Sequence, residues 1–437
     1  MQVLRSHGRR LAVVALTALT AGLLCACGGH SDSSSTRVRF LNATYGLGNL
    51  NLFTGDDKRA SDVTPDSVSG YSDLDAGTYT AKIKSSGSDA SLATGSVSLQ
   101  DGKPYTAVAW GRQDAVKLAL LTDDADEPNS GLAKVRLFNA TPDAGSIDMY
   151  LTDSSTSLDA ASANASSIAS GSVGGYAEVS KGSYRLRITG AGEKSDLRLD
   201  VPQITLGDTE RVTVIVQPSA GGVLVHALVL VQQGSVVAYK NTSARARVVA
   251  GVGGNGSAAV KIGSTTISSA QTSPGVGSYV LFGAGSSTLL TQVGGATVSS
   301  ATTSFSAGAD YTVLVYGTAA SPLMTLITDD NRLPSNSAKA KVRLVNAAAG
   351  YDTLSLAVDS VSLANDVPLG TASSYASTSA NSGNALIEVI SALSNDPLYT
   401  TAKSSGSTGV SIDAQGVYSV FMLGGNALPR GVLRKER

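Results

Sequence analysis

The sequence predicts an all-β protein built from four tandem immunoglobulin-like antiparallel β-sandwich modules, and three observations predict it. Short apolar runs with a period of two recur along the chain, turn residues separate them at regular spacing, and one opening motif returns in four places. The composition agrees, because 47 glycines and only 15% charged residues in 437 residues are typical of an exported protein rich in strands and turns.

The opening motif marks the start of each unit. Residues 37–43, 134–140 and 341–347 share the pattern basic, Val, Arg, two apolar residues, Asn and Ala, and residues 245–250 form a weaker copy without the Asn. The motif returns after 97, 111 and 96 residues. Each interval is the length of one small domain, so we expect four modules.

The rest of each unit repeats the same order of elements. An alternating run after the motif predicts a half-buried strand, a glycine leads into a tyrosine-bearing strand, and two further runs close the unit. The alternating runs are 49–53, 146–151, 258–262 and 353–358, the tyrosine strands include 77–83 and 182–188, and the closing runs include 105–110 with 116–121 and 311–316 with 324–328. Six or seven short strands in about 100 residues predict an immunoglobulin-like sandwich. The Ser- and Ala-rich segment 154–170 predicts an elongated loop.

Polar segments that contain Pro, Ser or Asn separate the units. These joints are residues 123–132, 240–244 and 329–339. The modules that they bound are module 1 at 37–132, module 2 at 133–243, module 3 at 244–338 and module 4 at 339–437. We expect the modules to be separate beads on short joints, with residues 27–36 as a flexible tether before the first.

The residues of the second unit carry a family resemblance. Residues 135–144, followed by 147–151, resemble the opening of the family called domain of unknown function 4397, and the strand at 182–188 and the closing run at 311–316 resemble its later parts. The resemblance extends over residues 37–437, is strongest in module 2 and is weakest in module 3. It implies a secreted or lipid-anchored β protein without an assigned activity, and it supplies no catalytic residues.

The first 26 residues have the charge step and the apolar core of a signal peptide. Arg5, Arg9 and Arg10 precede an uncharged run of small and apolar residues from Leu11 to Leu24. As a helix this run would extend about 21 Å, whereas a bilayer core requires roughly 20 residues to cross. We expect the segment to direct export and then to be removed.

Cys27 is the predicted lipid attachment site. The segment Leu24-Cys25-Ala26-Cys27 resembles the bacterial lipobox, which has an aliphatic residue three positions before the cysteine and a small residue directly before it. Because Cys25 and Cys27 are the only cysteines, the mature chain would have no disulfide and no cysteine ligand for a metal. The alternative is an ordinary secretory signal with two unmodified cysteines.

The resemblance to lipoproteins implies a location in the cell envelope. Two or three acyl chains on Cys27 would hold the protein to a membrane permanently. Gly28 stands where Asp would signal retention in the inner membrane of many Gram-negative bacteria, which favours the outer membrane. Lys and Arg number 33 against 34 Asp and Glu, so no basic field would attract nucleic acid.

Candidate catalytic residues are few. Of His7, His30 and His226, only His226 lies inside a module, in the dense apolar strand 223–229, where a structural role is favoured over a catalytic base. No Gly-x-Ser-x-Gly elbow accompanies it. The Gly-x-Gly-x-x-Gly match at 251–256 precedes a predicted strand and not the helix that dinucleotide binding requires, so it predicts a hairpin. We therefore predict no catalytic residue, no cofactor-binding residue and no enzyme activity.

Acidic residues at two joints are candidate calcium ligands. They are Asp123, Asp124, Asp126 and Glu127 between modules 1 and 2, and Asp329 and Asp330 between modules 3 and 4. Calcium takes roughly six to eight oxygen ligands, which carboxylates at a seam could supply, with the loops at Asp143 and Asp352 completing the site. The alternative is a solvated turn that closes the last strand. Aromatic platforms for sugars are scarce, since the only tryptophan, Trp110, lies in an alternating strand where core packing is favoured.

These observations favour a lipid-anchored, non-catalytic envelope protein. A rod of sandwiches would space, scaffold or adhere, with recognition on its loops and with an envelope protein or a glycan as the partner. The first alternative is an array of carbohydrate- or peptidoglycan-binding modules. An envelope hydrolase is the third reading, and it would have to be built around His226.

Overall fold

The structure is a computed structural model that describes residues 35–254, 256–391, 394–401, 409–425 and 429–437. The predicted signal peptide, Cys27 and all but the last two residues of the predicted tether lie outside the described residues. The all-β prediction is confirmed, because the regular elements of the described residues are strands grouped into several separate sheets. In the part of the chain that the structure describes, no helix is long and apolar enough to cross a bilayer.

Module 1 is a sandwich of two four-stranded sheets with the orders β4-β1-β7-β8 and β3-β2-β5-β6. Its strands are β1 Ser35–Tyr45, β2 Leu50–Thr54, β3 Asp57–Val63, β4 Ser72–Asp75, β5 Gly77–Ser85, β6 Ser91–Leu99, β7 Pro104–Arg112 and β8 Ala115–Thr122. Residues that alternate along the strands, such as Phe40, Leu52 and Ile83, fill the space between the sheets.

Module 2 pairs a five-stranded sheet, β12-β9-β15-β16-β17, with a four-stranded sheet, β11-β10-β13-β14. Its strands are β9 Leu132–Asn139, β10 Ile147–Thr152, β11 Ala165–Ile168, β12 Ala177–Ser180, β13 Gly182–Gly190, β14 Glu193–Leu206, β15 Arg211–Pro218, β16 Val225–Val231 and β17 Val236–Tyr239. Most of the predicted loop 154–170 is a loop, but its residues 165–168 form strand β11.

Module 3 has a sheet of order β21-β18-β25-β26, to which β22 adds by pairing with β18, and a second sheet of order β20-β19-β23-β24. Its strands are β18 Ser243–Ala250, β19 Ser257–Ile262, β20 Thr265–Thr272, β21 Gly275–Val276, β22 Val280–Gly283, β23 Gly285–Val293, β24 Ala296–Phe305, β25 Asp310–Thr318 and β26 Ser321–Asp329.

Module 4 repeats this plan with the sheets β30-β27-β36-β37 and β29-β28-β33-β34, while β31 also pairs with β27 and β32 pairs with β35. Its strands are β27 Lys339–Ala348, β28 Thr353–Val358, β29 Val361–Pro368, β30 Thr371–Ala372, β31 Ala376–Ser379, β32 Asn381–Ala385, β33 Ile387–Ser391, β34 Ser394–Thr400, β35 Val410–Ile412, β36 Val417–Gly424 and β37 Arg430–Lys435.

Each module contains one parallel pair within its otherwise antiparallel sheets. The opening strand lies parallel to the strand before the last, in the pairs β1 with β7, β9 with β15, β18 with β25, and β27 with β36. This pair forms the middle of its sheet. The opening motif therefore lies at the centre of each module and not at an edge.

The asparagine of the motif fixes the turn that follows the opening strand. In module 1, Nδ2 of Asn42 donates to the carbonyl groups of Gly48 and Val63, each at 3.0 Å. Asn139 and Asn346 make the equivalent pair of bonds in modules 2 and 4. Because a buried carbonyl without a partner is costly, the amide stabilises the path of the chain between the two sheets.

The modules are not separate beads, which corrects the expectation from the sequence. The sheets that contain β1 and β9 pack face to face and share one apolar cluster, which we call the 1–2 interface. Its buried members are Leu41, Ala43, Val108, Trp110 and Leu121 of module 1 and Phe138, Ala140, Ile215, Leu228 and Leu230 of module 2. Modules 3 and 4 share a second cluster, the 3–4 interface, whose buried members are Val249, Leu314, Val345, Ala347, Phe421 and Leu423.

The reason for the pairing is that the central strands are apolar on both faces. All nine residues of β7 are buried, although an isolated sandwich would bury only one face of each strand. The two pairs also touch each other. The amide of Gly221 in module 2 donates to the carbonyl of Gly308 in module 3 at 2.8 Å, and the amide of Leu333 donates to Oδ1 of Asp143 at 2.8 Å.

Candidate functional site: arginine networks and the cleft between the pairs

Each opening strand carries an arginine that is held in the same way in all four modules. The Nε atoms of Arg39, Arg136, Arg247 and Arg343 donate to a hydroxyl group on the neighbouring parallel strand at 2.8, 2.9, 2.9 and 3.0 Å. The acceptors are Thr106, Thr213, Thr312 and Ser419. Each guanidinium group also stacks on a tyrosine ring of its own module, and these tyrosines are Tyr71, Tyr176, Tyr279 and Tyr375. Each guanidinium carbon lies 4.5 to 5.1 Å from the centre of its tyrosine ring, within the range of a cation–π interaction.

At the 3–4 interface these arginines cross over to the partner module. Arg247 of module 3 donates to both carboxylate oxygens of Glu436 in module 4, at 2.7 and 2.8 Å. Arg343 of module 4 donates to Asp329 at the end of module 3, at 2.5 Å. The side chains of all four residues are at most 3% exposed. Burial alone would lower the pKa of Arg247, but Tyr279 and Glu436 outweigh it and the net shift of the pKa is upward.

At the 1–2 interface the same crossing uses neutral acceptors. Arg39 donates to the carbonyl groups of Gly234 and Val231 in module 2, at 2.6 and 3.1 Å, and Arg136 donates to the carbonyl of Thr122 at 3.3 Å. Glu436 directly follows β37, and Gln232 directly follows β16, the strand of module 2 that corresponds to β37. These arginines were visible in the motif, but their role in joining modules was missed.

The candidate calcium ligands mostly have protein partners. Asp123 accepts from Tyr71 and Thr106 at 2.6 and 2.5 Å and lies 3.4 Å from Nε of Arg39. Asp329 accepts from Tyr279 and Thr312 in addition to Arg343. The remaining ion pairs are Asp124 with Lys103, Glu127 with Arg211, and Asp330 with Arg332 and Lys341. Asp126 is exposed, and only its backbone carbonyl accepts a bond, from Lys134.

Within the described ranges, no group of three or more His, Cys, Asp or Glu side chains is arranged to hold a metal ion. The two further acidic loops do not join the joints into such a group. Asp143 is fully buried and pairs with Arg112, and Asp352 lies in the turn before β28. The calcium hypothesis therefore stays a prediction, and the observed contacts give it no support.

His226 is a buried part of the joint between modules 2 and 3. It is 6% exposed, its Nδ1 accepts the backbone N–H of Asn241 at 2.9 Å, and its ring lies 6.0 Å from that of Tyr45 in module 1. Burial, with a smaller contribution from Lys240, lowers the pKa of His226 to about 4. The imidazole is therefore neutral at pH 7 and orients the backbone of the joint.

Two other sequence features also lie at contacts between modules. Trp110 is 4% exposed and packs edge to face with Phe138 across the 1–2 interface, with ring centres 5.8 Å apart. The glycine-rich segment 251–254 leads from strand β18 in one sheet towards strand β19 in the other, so the prediction of a hairpin is wrong and the segment crosses between the two sheets. The next residue, Asn255, lies outside the described residues. A Cβ atom on Gly251 would lie 2.7 Å from Cβ of Ala347, so this glycine permits close packing against module 4.

A cleft of about 250 Å³ opens between module 1, module 4 and the joint that precedes module 4. Its lining includes Arg112, Asp330, Arg332, Lys341 and Tyr375. Lys341 and Arg332 donate to Asp330, and although burial raises the pKa of this carboxyl, the two cations lower it to about 2. The cleft is thus a recess of paired charges beside an aromatic wall, suited to a polar ligand.

Comparison with known families agrees with the repeated modules. The family Domain of unknown function (DUF4397) matches residues 36–150 and 244–357, just over half of the chain. The chain belongs to the DUF4397 family. Both matches begin at the first strand of a module pair and end in the second strand of the partner module, β10 or β28. The matches cover less than the expected span of 37–437, and they include module 3, where the resemblance was expected to be weakest.

The other comparisons are distant. No curated protein matches the chain. Among solved structures, the Bacillus anthracis TIE protein is 10% identical, with a TM-score of 0.14. The match covers 64% of this chain and 49% of that protein, so this DUF4397 chain spans about half the length of the TIE protein. Proposed cell adhesion proteins of Bacteroides ovatus and Bacteroides uniformis are 12% and 11% identical, with TM-scores of 0.18 and 0.19; each match covers 46% of this chain and 96% or 98% of that protein.

Proposed function

We propose that this chain is a lipid-anchored envelope protein with a non-catalytic scaffold, adhesion or binding role. The observation that carries the proposal is the locking of the four modules into two pairs by shared apolar cores. A scaffold of this kind holds the loops at the ends of its sandwiches at fixed separations, which suits recognition of a partner protein or glycan. Acyl chains on Cys27 would hold it to the outer membrane.

The binding alternative, an array for carbohydrate or peptidoglycan, is favoured by the cleft beside Tyr375. Paired charges beside this tyrosine offer hydrogen bonds to a sugar. The hydrolase alternative has no such support, because the acceptor nitrogen of His226 is already occupied by the backbone of Asn241.

The anchoring part of the proposal is tested by changing one of the two cysteines at a time. We expect Cys27→Ser, expressed in a Gram-negative host, to abolish labelling with radioactive palmitate and to release the protein into the soluble fraction of the envelope. Cys25→Ser is the matched control and should stay labelled and bound to membrane. If the Cys27→Ser protein remains in the membrane fraction, the lipid does not anchor it.

The binding part is tested on the anchored protein in its own envelope. Crosslinking should recover a reproducible protein or glycan partner with the wild-type chain, and binding to a glycan array would favour the carbohydrate alternative. Labelling by a fluorophosphonate probe that is lost in His226→Ala would contradict the non-catalytic role. A chain that crosslinks only to lipid, and binds no glycan, would contradict the binding role.

A further inference from the structure

Arg187 in module 2 is a buried cation without a carboxylate partner. It lies on β13 between Leu186 and Ile188, which face the module core, so its side chain extends from the opposite face of the sheet. Although this is the outer face, Arg187 is only 3% exposed. A buried charge without a counter-charge is costly, and arginine side chains are almost never fully buried unless they are paired.

The hydrogen bonds of Arg187 leave most of its donors unused. Both bonds come from Nη2, to the hydroxyl of Thr152 at 2.6 Å and to the carbonyl of Thr156 at 3.0 Å. Its Nε is buried and has no hydrogen-bond partner among the described residues. The nearby Asp200 is already bound by Arg185 at 2.7 Å. Burial, and then repulsion from Arg185, lower the pKa of Arg187, which agrees with an uncompensated cation.

The cover over Arg187 is a loop that only module 2 has. Residues 153–164 connect β10 and β11, whereas the equivalent hairpins of modules 1, 3 and 4 have two residues each. Most of the loop is exposed, so it forms a single layer over the guanidinium. Its middle is held by cations, because Lys194 donates to the carbonyl groups of Asp159 and Ala161, each at 2.7 Å, and Arg187 donates to that of Thr156.

The other modules show that the fold does not require an arginine here. Arg187 pairs in register with Tyr150, and the residues at the same position of the corresponding strands are Lys82, Leu290 and Glu388. Lys82 has a counter-ion, because its Nζ lies 3.1 Å from Oδ1 of the solvent-exposed Asp56. The corresponding strand of the other modules therefore folds with a solvated basic, an apolar or an acidic residue at this position. The buried arginine occurs only in module 2, the module with the long loop.

We propose that Arg187, together with Lys194 and Thr152, forms a binding site beneath the 153–164 loop for a carboxylate or phosphate group carried by a ligand such as an acidic glycan. The adjacent Nε and Nη2 groups present a fork that binds two oxygens of such a group side by side. An oxyanion would take the unused Nε and replace the carbonyl of Thr156 on Nη2. Lys194 would exchange its loop carbonyls for the same anion, so the loop opens when the ligand enters. This site does not depend on the lipid anchor.

The test is titration calorimetry of the full-length mature chain, released from the membrane by Cys27→Ser, with glucuronate, inorganic phosphate and uncharged glucose. We expect one of the two anions to bind and glucose not to bind. Arg187→Leu, which installs the residue found in module 3, should weaken anion binding by about 10-fold or more, the effect of losing a charge-assisted pair. The matched control is Lys82→Leu in module 1, which should leave binding unchanged. Preference for glucuronate over phosphate identifies an acidic sugar, and the reverse identifies a phosphate-bearing ligand.

A second variant keeps the proposal falsifiable if Arg187→Leu fails to fold. Residues 153–164 are replaced with the two-residue turn of module 1, Gly55-Asp56, which removes the loop over Arg187. Anion binding should persist, and its association rate should be faster because no loop has to open. The proposal is wrong if neither anion binds the parent chain, or if Arg187→Leu and Lys82→Leu weaken binding equally. Either failure leaves the anchoring and crosslinking results untouched, so it is distinguishable from failure of the proposed function.

Discussion

The two module pairs are joined by equivalent sheets but by different chemistry. The 1–2 interface buries ten apolar residues, with Trp110 against Phe138, and its motif arginines donate to neutral carbonyl groups. The 3–4 interface buries six apolar residues and adds two crossed ion pairs, Arg247 with Glu436 and Arg343 with Asp329. The 1–2 interface therefore buries more apolar residues, and the 3–4 interface adds oriented charge to a smaller apolar cluster.

The difference shows how one motif can serve two kinds of interface. The arginine is the same in all modules, but its acceptors differ. Arg247 meets the carboxylate of Glu436, whereas Arg39 meets the backbone carbonyl groups of Val231 and Gly234. Apolar burial supplies most of the free energy of association but tolerates several registers, whereas a crossed pair of buried ions fits only one.

The largest effect should come from breaking one ion pair. Glu436→Ala leaves the guanidinium of Arg247 buried without its counter-charge, which typically costs about 3–5 kcal/mol of folding free energy. We expect pair 3–4 to unfold at lower urea concentration, seen as an early transition in far-UV circular dichroism. Trp110 is the only tryptophan and lies at the 1–2 interface, so its fluorescence transition should not move.

The matched control for that variant is Gln232→Ala, at the same position of module 2. Gln232 exchanges two hydrogen bonds with the backbone of Ala125, so its loss should cost only about 1 kcal/mol. Equal destabilisation by the two variants would mean that the ion pair contributes no more than an ordinary polar contact.

The apolar side of the comparison is tested by Leu41→Ala. Leu41 is fully buried against module 2, and the truncation should cost about 3 kcal/mol and move the Trp110 transition to lower urea. Val249 occupies the equivalent position at the 3–4 interface, and Val249→Ala should cost less because it removes fewer side-chain carbon atoms than Leu41→Ala. A larger loss from Val249→Ala would reverse our assignment of which interface depends on apolar area.

A smaller, pH-dependent effect should come from His226, which contacts Tyr45 across modules 1 and 2. Because its folded-state pKa is about 4 and its ordinary value about 6.5, the unfolded chain binds a proton in this window while the folded chain does not. Stability should therefore fall as the pH falls from about 6.5 to 4, by about 2 kcal/mol between pH 7 and pH 5. His226→Gln should lack this component in urea titrations at the two pH values. An identical slope in the variant would show that other groups carry the pH dependence.

The sequence predicted the all-β class because the period of two and the recurring motif are local signals. Module pairing was not predicted, because the sequence does not show what covers the outer face of a strand. An apolar residue on that face gives the same pattern whether it is exposed to solvent or packs against another module. The signal that could have revealed it is the composition of β7, where Thr106 is the one polar residue between Tyr105 and Trp110, as is typical of a strand covered on both faces.

The candidate site was predicted less well than the fold, for reasons of distance along the chain. Arg39 stands out in the motif, but its acceptors Val231 and Gly234 are more than 190 residues away, and no local spacing links them. The acids at the joints were recognised as a cluster, yet their partners are arginines and tyrosines from other strands. Arg187 is unremarkable in sequence, because its burial depends on the path of a loop.

The smallest effect should be that of calcium, the ion first expected at the joints. Asp123 and Asp329 already accept hydroxyl groups and lie beside arginines, so calcium would have to displace Arg39 or Arg343 from a buried carboxylate. We expect millimolar calcium, compared with chelator, to change the melting temperature by less than about 1 °C. A rise of several degrees that is lost in Asp124→Asn, which is exposed and outside both networks, would restore the calcium hypothesis for the first joint. The change in melting temperature also bears on the comparison of the interfaces, because it shows whether calcium can replace arginine as the partner of Asp123 or Asp329.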